Sequence, residues 1–305
     1  QPLWAGAMYN KHFGLREAPF SITPDTTFSF ASGVFQEALN TLLIAARNGE
    51  GFIKITGEVG TGKTLLCRKF LASLDESFVT AYIPNPYLEP RTLLIALAEE
   101  LDLKVRRDLD QHLMLKALTL AMLDFARQGK RVLVCLDEAQ AMPLETLEAL
   151  RLLSNLETEK RKLIQVVLFG QPELNEKLEL PSLRQLKQRI AFHYELQPLS
   201  RDELDYYVAH RLTVAGQQGG TLFSKGALAA LYRASGGVPR LVNIICHKSL
   251  LLVFGEGRQQ VEEKHIRVAA SDTPAARPEH RARWLWAGLA LLGVGLGIGS
   301  WALLR

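Results

Sequence analysis

An octapeptide near the start of the chain restricts its fold more than any other feature. Residues 57–64 read GEVGTGKT, which matches the pattern G-x-x-x-x-G-K-[S/T] at every fixed position. The pattern follows a short apolar run at residues 52–56, which is typical of a buried strand. Apolar residues after Lys63 recur at helical spacing as far as Leu71. The sequence therefore predicts a strand, a phosphate-binding loop and a helix in succession, and an ordinary glycine-rich turn is the alternative.

The residue types in this loop suit a bound nucleoside triphosphate. Glycines allow a tight turn whose backbone N–H groups point at phosphate oxygens, and the positive end of the following helix adds to the attraction. We expect Lys63 to contact the β- and γ-phosphates and the Thr64 hydroxyl to ligate Mg²⁺. The predicted cofactors are therefore ATP and Mg²⁺. The predicted nucleotide-binding residues of this segment are Gly57, Glu58, Val59, Gly60, Thr61, Gly62, Lys63, Thr64 and Leu65.

A second apolar run, at residues 132–136, ends in two carboxylates, Asp137 and Glu138. A buried strand cannot keep an acid inside it, but its C-terminal edge opens on the phosphate pocket, where Mg²⁺ needs oxygen ligands. We expect Asp137 in the coordination shell of the metal, through water, and Glu138 to orient or deprotonate the attacking water. A strand followed by an ordinary acidic helix cap is the alternative.

Alternating apolar runs and amphipathic stretches predict an α/β fold, a parallel sheet flanked by helices. One strand with its helices separates the loop from the acidic strand, so we expect these two strands not to be neighbours in the sheet. The predicted strands are 52–56, 79–83, 132–136, 164–169 and 191–196. The predicted helices between them are 65–74, 92–101, 113–127, 144–153 and 182–188. Beyond Pro198 only helices are predicted, at 201–215, 224–234, 239–254 and 262–270.

The C-terminal part of the sequence predicts a membrane anchor. Residues 284–304 carry no charged side chain, and about 20 apolar residues are what a helix needs to cross a hydrocarbon core. A buried core helix is the alternative. Arg277, Arg281 and Arg283 precede the span and only Arg305 follows it, so the positive-inside rule predicts a single-pass membrane protein with its large N-terminal part in the cytoplasm.

Cysteine usage and charge set limits on the partners. Cys67, Cys135 and Cys246 lie in apolar surroundings, without a C-x-x-C motif or histidines at metal-ligand spacing, so we expect reduced core residues. The net charge of the 305 residues is +4, and both signs are interspersed. Composition therefore gives little support for a nucleic-acid partner.

Several segments together resemble the ExeA/GspA family of secretion ATPases, which are AAA+ proteins. The segment after Asp137 is more discriminating than the phosphate loop. The similar segments are residues 9–20, 51–64, 83–90, 137–159, 166–174, 183–190 and 236–250. With this resemblance, the predicted domains are a leader at 1–7, an AAA+ nucleotide-binding core at 8–197, a helical lid at 198–272, a linker at 273–283 and a transmembrane helix at 284–304.

Further roles follow from the resemblance. Gln171 corresponds to the first sensor of the γ-phosphate, and Arg240 resembles the second sensor, which reaches from the lid to the nucleotide. Arg189 resembles an arginine finger given to a neighbouring subunit, with Arg184 as the reserve, which implies a homo-oligomer. A guanidinium at this place stabilises charge on the phosphoryl oxygens. A turn residue at 171, a surface charge at 189 and a helix-start cation at 240 are the alternatives.

The resemblance implies a membrane-anchored ATPase that works with proteins of a pilus or a type II secretion apparatus. Two other functions stay open at this stage. One is a DNA-associated AAA+ ATPase of the transposition or partition type, and the other is a nucleotide-dependent scaffold with weak hydrolysis.

Overall fold

The computed structural model of the chain describes residues 9–21, 33–105, 109–153, 162–218 and 220–276. The chain divides into two compact units: a core unit, Ile22–Val214, and a helical unit, which combines Gln1–Ser21 with Ala215–Arg305. The predicted leader at 1–7 and the predicted transmembrane helix at 284–304 lie outside the described residues. Within the described residues, no helix combines the length and apolar character that crossing a bilayer requires.

The core unit contains a five-stranded sheet in which every pairing is parallel. Its strands are β1 (Phe52–Thr56), β2 (Phe78–Ile83), β3 (Arg131–Leu136), β4 (Ile164–Gly170) and β5 (Ile190–Glu195). The spatial order is β2-β3-β4-β1-β5. The five predicted strands are thus confirmed, and β4 separates the loop-bearing β1 from the acidic β3 as expected.

Helices cover both faces of this sheet, as a parallel sheet requires. Because side chains alternate along a strand, Phe52 packs in one apolar cluster with helices α3 to α7, whereas Ile53 and Ile55 pack in the other with α1 and α2. The helices are α1 (Gly33–Asn48), α2 (Lys63–Ala72), α3 (Pro90–Glu100), α4 (Gln111–Arg127), α5 (Leu144–Leu153), α6 (Glu173–Leu178), α7 (Arg184–Arg189) and α8 (Arg201–Val214). Sequence reasoning did not identify α1 and α6.

The helical unit contains α9 (Lys225–Ser235), α10 (Pro239–Gly255) and α11 (Glu263–Ser271), all near their predicted positions. The N-terminal segment belongs to this unit, because buried Tyr9 bonds His247 at 3.1 Å and the ring of Phe20 packs on Phe223. The division between the two units falls after Val214, and residues 9–21 group with the C-terminal helices. The predicted bounds of the leader, core, lid, linker and transmembrane helix stay predictions.

Candidate functional site

The loop between β1 and α2 has the backbone that its glycines permit. Gly60 has a φ of 85° and Gly62 a φ of 104°, in the left-handed region where glycine pays no Cβ penalty. Gly62 is the N-cap of α2 and supplies no side chain there. The first N–H groups of a helix have no acceptor within it and lie at the positive end of its dipole. The loop therefore presents N–H groups suited to an anion.

Strand register brings this loop beside the end of β4. Thr56 is the register partner of Gly170, and the Gly57 N–H donates to the Gly170 carbonyl at 3.2 Å. A Cβ at Gly57 would lie 2.8 Å from the carbonyl oxygen of Leu196, so a larger residue does not fit there. The phosphate loop and Gln171 consequently start from adjacent strand ends.

The Lys63 side chain folds back and donates hydrogen bonds to the start of its own loop. Its Nζ donates to the carbonyls of Gly57 at 2.7 Å and Glu58 at 2.9 Å, and the residue is 5% exposed. Burial lowers the pKa of the Lys63 ammonium, while Glu138 and Asp137 act in the opposite direction. A polyphosphate would provide stronger, charged acceptors for the same donor.

Thr64 and Asp137 meet although they are 73 positions apart in the sequence. The Thr64 Oγ1 donates to Asp137 Oδ2 at 2.7 Å, and the Glu138 N–H donates to Asp137 Oδ1 at 3.0 Å. Asp137 is 2% exposed, and burial raises the pKa of its carboxyl against these hydrogen bonds. Tyr82 also donates to Asp137, at 3.4 Å.

This pair of oxygens fits the metal that the sequence predicts. Mg²⁺ takes hard oxygen ligands and is usually held by one or two protein side chains together with waters and phosphate oxygens. The Thr64 hydroxyl and the Asp137 carboxyl are such ligands, and they already lie within 2.7 Å of each other. Among the described residues there is no cluster of three or more His, Cys, Asp or Glu side chains able to hold a metal.

Glu138 has an unusual backbone and two amide partners. Its φ of 54° is in the left-handed region, which costs a residue with a Cβ free energy. Its Oε2 accepts hydrogen bonds from Gln140 Nε2 at 2.5 Å and Gln171 Nε2 at 3.1 Å. The structure therefore brings Gln171 to the glutamate. Sequence analysis missed Gln140, although its place two residues after the acidic pair was a usable signal.

The three arginines predicted to act on the nucleotide are all exposed. Arg184 begins α7 in the core unit and Arg189 ends it. Arg240 is in the first turn of α10, in the helical unit. Their roles stay predictions.

A family model described as "AAA domain" matches residues 46–178. General secretion pathway protein A of Aeromonas hydrophila is 44% identical over 272 residues, which cover 89% of this chain and 50% of that protein. The chain thus spans about half the length of this curated relative.

Solved structures with similar folds include the ORC2 protein of Aeropyrum pernix (TM-score 0.60, 19% identity, 83% of this chain and 72% of that one). Cdc6p from Pyrobaculum aerophilum has a TM-score of 0.62 at 19% identity, with coverages of 81% and 70%. The RuvB branch migration motor of Thermotoga maritima has a TM-score of 0.52 at 14% identity, and the match covers 80% of this chain and 70% of that one. At these identities the likeness concerns the fold alone. The predicted α/β P-loop AAA fold, with its parallel sheet and flanking helices, is confirmed.

Proposed function

We propose that this chain is a membrane-anchored AAA+ ATPase. It hydrolyses ATP to support assembly of a type II secretion apparatus or an MSHA-like type IV pilus. Two findings support the proposal: residues 46–178 match a family model described as "AAA domain", and 89% of the chain aligns at 44% identity with General secretion pathway protein A. The observation that carries the proposal is the Thr64–Asp137 hydrogen bond of 2.7 Å, because it joins the phosphate loop to the acidic strand.

The loop residues and the acidic pair divide the work of binding. Lys63 would exchange the carbonyls of Gly57 and Glu58 for phosphate oxygens, and the α2 N-terminus would hold the same phosphates through N–H groups. Thr64 and Asp137 would hold Mg²⁺, which supplies positive charge to the phosphoryl oxygens when bound. Both roles use groups that already lie at one sheet edge.

Glu138 would be the residue that orients and deprotonates the attacking water, since its carboxylate lies at the tip of β3 beside the Asp137 metal ligand. Gln171 would sense the γ-phosphate from the tip of β4. Its side-chain contact with Glu138, at 3.1 Å, supports a link between sensing and water activation. The two residues would therefore act as one unit.

Assembly into a homo-oligomer would complete the site. Arg189 is exposed at the end of α7, where a neighbouring subunit can be reached, and Arg184 is the reserve candidate. A guanidinium supplied by a neighbour contributes a large factor to phosphoryl transfer. Arg240 would act as the second sensor from the helical unit.

The cellular setting is the part of the proposal that depends most on resemblance. The name of the relative indicates secretion, whereas the pilus alternative depends on similarity of the sequence segments to the MSHA pilus biogenesis protein MshM. The apolar, uncharged residues 284–304 support an anchor in the inner membrane. Partner proteins of the secretion or pilus machinery follow from the same likeness.

The release of phosphate from ATP by the purified chain, measured in the presence of Mg²⁺, tests the enzymatic proposal. We expect Glu138→Gln to abolish turnover and to retain ATP binding, and Lys63→Met to weaken ATP binding roughly 10- to 100-fold. Lys69→Met, a change of the same type on the same helix but away from the loop, is the matched control and should behave as wild type. Normal turnover by Glu138→Gln would contradict the proposed role of the glutamate.

One observation favours a second function, a nucleotide-dependent scaffold with weak hydrolysis. The Glu138 carboxylate is engaged by two amides, from Gln140 and Gln171, and an acceptor already in use is a poorer base. In that case ATP would change the assembly state, while turnover would stay near the level of Glu138→Gln. Sizing the chain with and without ATP, alongside turnover, separates the two functions.

A further inference from the structure

Gln140 connects the ends of two neighbouring strands, β3 and β4, through the nitrogen and the oxygen of its side-chain amide. Its Nε2 donates to Glu138 Oε2 at 2.5 Å, and its Oε1 accepts from the Gln171 backbone N–H at 3.0 Å. Glu138 follows β3, and Gln171 follows β4. The Gln171 side chain closes the triangle by donating to the same Glu138 oxygen at 3.1 Å.

The surroundings hold Gln140 in this place. Lys177 Nζ, from α6, donates to the carbonyls of Gln140 and Met142, both at 2.7 Å, which fixes the turn after β3. A Cβ at Gly170 would lie 3.3 Å from Gln140 Oε1 and 2.8 Å from Leu174 Cδ2. A glycine before Gln171 therefore leaves the space that the Gln140 amide occupies.

Glu138 needs such support because its own backbone is in a disfavoured conformation. A φ of 54° with a Cβ is retained only where surrounding contacts specify it. The carboxylate is attached to this strained residue, and two amides on one oxygen define its direction. Of these two, only Gln140 also bonds the backbone of β4's end.

We propose that Gln140 is a positioning residue for hydrolysis: its amide sets the direction of the Glu138 carboxylate and couples it to Gln171. This inference rests on the proposed function, because it assumes that Glu138 activates water. Gln140 need not touch the nucleotide. Its effect is on where the glutamate points when ATP is bound.

Two substitutions of similar length separate the donor from the acceptor of Gln140. Gln140→Met removes both, whereas Gln140→Glu retains an acceptor for the Gln171 N–H and loses the donor to Glu138. We expect both variants to lower kcat by about tenfold or more, since small misplacement of a reacting group has effects of this size. The KM for ATP should stay within about twofold of wild type, because the phosphate loop is unchanged. Gln36→Met on α1, where the exposed Gln36 amide bonds Asn40, is the matched control.

Hydrogen exchange gives a readout that does not depend on turnover. The Gln171 amide should exchange faster in Gln140→Met, which has no acceptor for it, and near the wild-type rate in Gln140→Glu. A wild-type kcat in Gln140→Glu would overturn the proposal, because the donor to Glu138 would then be dispensable. Unchanged exchange in Gln140→Met would overturn the coupling to Gln171. A wild-type chain that does not hydrolyse ATP would instead contradict the proposed function itself.

Discussion

Replacing Thr64 by valine should destabilise the nucleotide-free chain by an amount that the structure allows us to estimate. The Thr64 hydroxyl donates to Asp137 at 2.7 Å, and Asp137 is only 2% exposed, so water replaces the lost donor poorly. A hydrogen bond to a charged group contributes about 1.5–3 kcal/mol. For a unit of this size, a loss of about 2 kcal/mol lowers the unfolding temperature by roughly 4–8 °C.

A double-mutant cycle isolates this bond from other effects of the substitution, such as altered packing. The four proteins are wild type, Thr64→Val, Asp137→Ala and the double variant, each unfolded in urea with EDTA and without nucleotide. We expect a coupling free energy of about 1.5–3 kcal/mol between the two positions. Thr64→Ser, which retains the hydroxyl, is the control and should retain most of the stability.

The cycle also contains the result that would refute the reasoning. A coupling below about 0.5 kcal/mol is within the error of additive, independent sites, and it would mean that loop and acidic strand do not meet at this point. Adding ATP gives a second comparison. Mg²⁺ should raise the unfolding temperature of the ATP-bound wild type, and Thr64→Val should lose that Mg²⁺-dependent part.

Three further predictions concern the same site. Lys63→Met should weaken ATP binding roughly 10- to 100-fold, the value of a charged hydrogen bond, as measured with a fluorescent nucleotide. Arg189→Ala should lower turnover by about 10³-fold without loss of assembly. If Arg189 acts on the site of a neighbouring subunit, mixing Arg189→Ala with Lys63→Met should restore activity. If Arg184→Ala shows this loss and this recovery and Arg189→Ala does not, Arg184 is the arginine finger. Burial raises the pKa of Asp137 above its usual 3.8, so the folded state binds the proton more tightly than the unfolded state does. The free energy of unfolding of the wild type should therefore fall relative to that of Asp137→Asn as pH rises through the folded pKa. Urea unfolding of both proteins at a series of pH values measures this, and a constant difference between them would contradict the prediction.

Features that depend on short stretches of sequence could be predicted. The octapeptide at 57–64 specifies its own turn, because two of its glycines, Gly60 and Gly62, occur where the backbone has positive φ. β3 and β4 are buried on both faces over most of their length, so residues 132–136 and 166–169 read as continuous apolar runs without alternation. That β1 and β3 are not neighbours in the sheet was predicted from the order of elements along the chain, where β2 lies between them. Each of these inferences used local sequence patterns or their order.

Features that depend on distant contacts could not be predicted. Residues 9–21 join the helical unit through contacts such as Tyr9 with His247, which are 238 positions apart. No local pattern near Tyr9 indicates this partner. α1 is a different case, because Phe35, Leu39 and Leu42 recur at helical spacing and are buried. That helix was available to sequence reasoning and was overlooked.

The side-chain geometry around Glu138 could not be predicted from the sequence either. That geometry explains why the site lowers the stability of the folded chain. Burial disfavours the charged forms of Lys63 and Asp137, as the directions of their pKa shifts indicate, and Glu138 has a backbone conformation that disfavours a Cβ. All three costs fall on residues assigned to nucleotide chemistry, while most residues of the strands that precede them, β1 and β3, are apolar and buried. A neutral residue in place of Lys63 or Asp137 would avoid the desolvation of a charge, and a glycine in place of Glu138 would relieve its backbone. Each change would also remove a group that the proposed chemistry uses. Part of the stability that the sheet supplies is therefore offset at its C-terminal edge, and a bound magnesium-nucleotide complex would restore it by partnering the same charges.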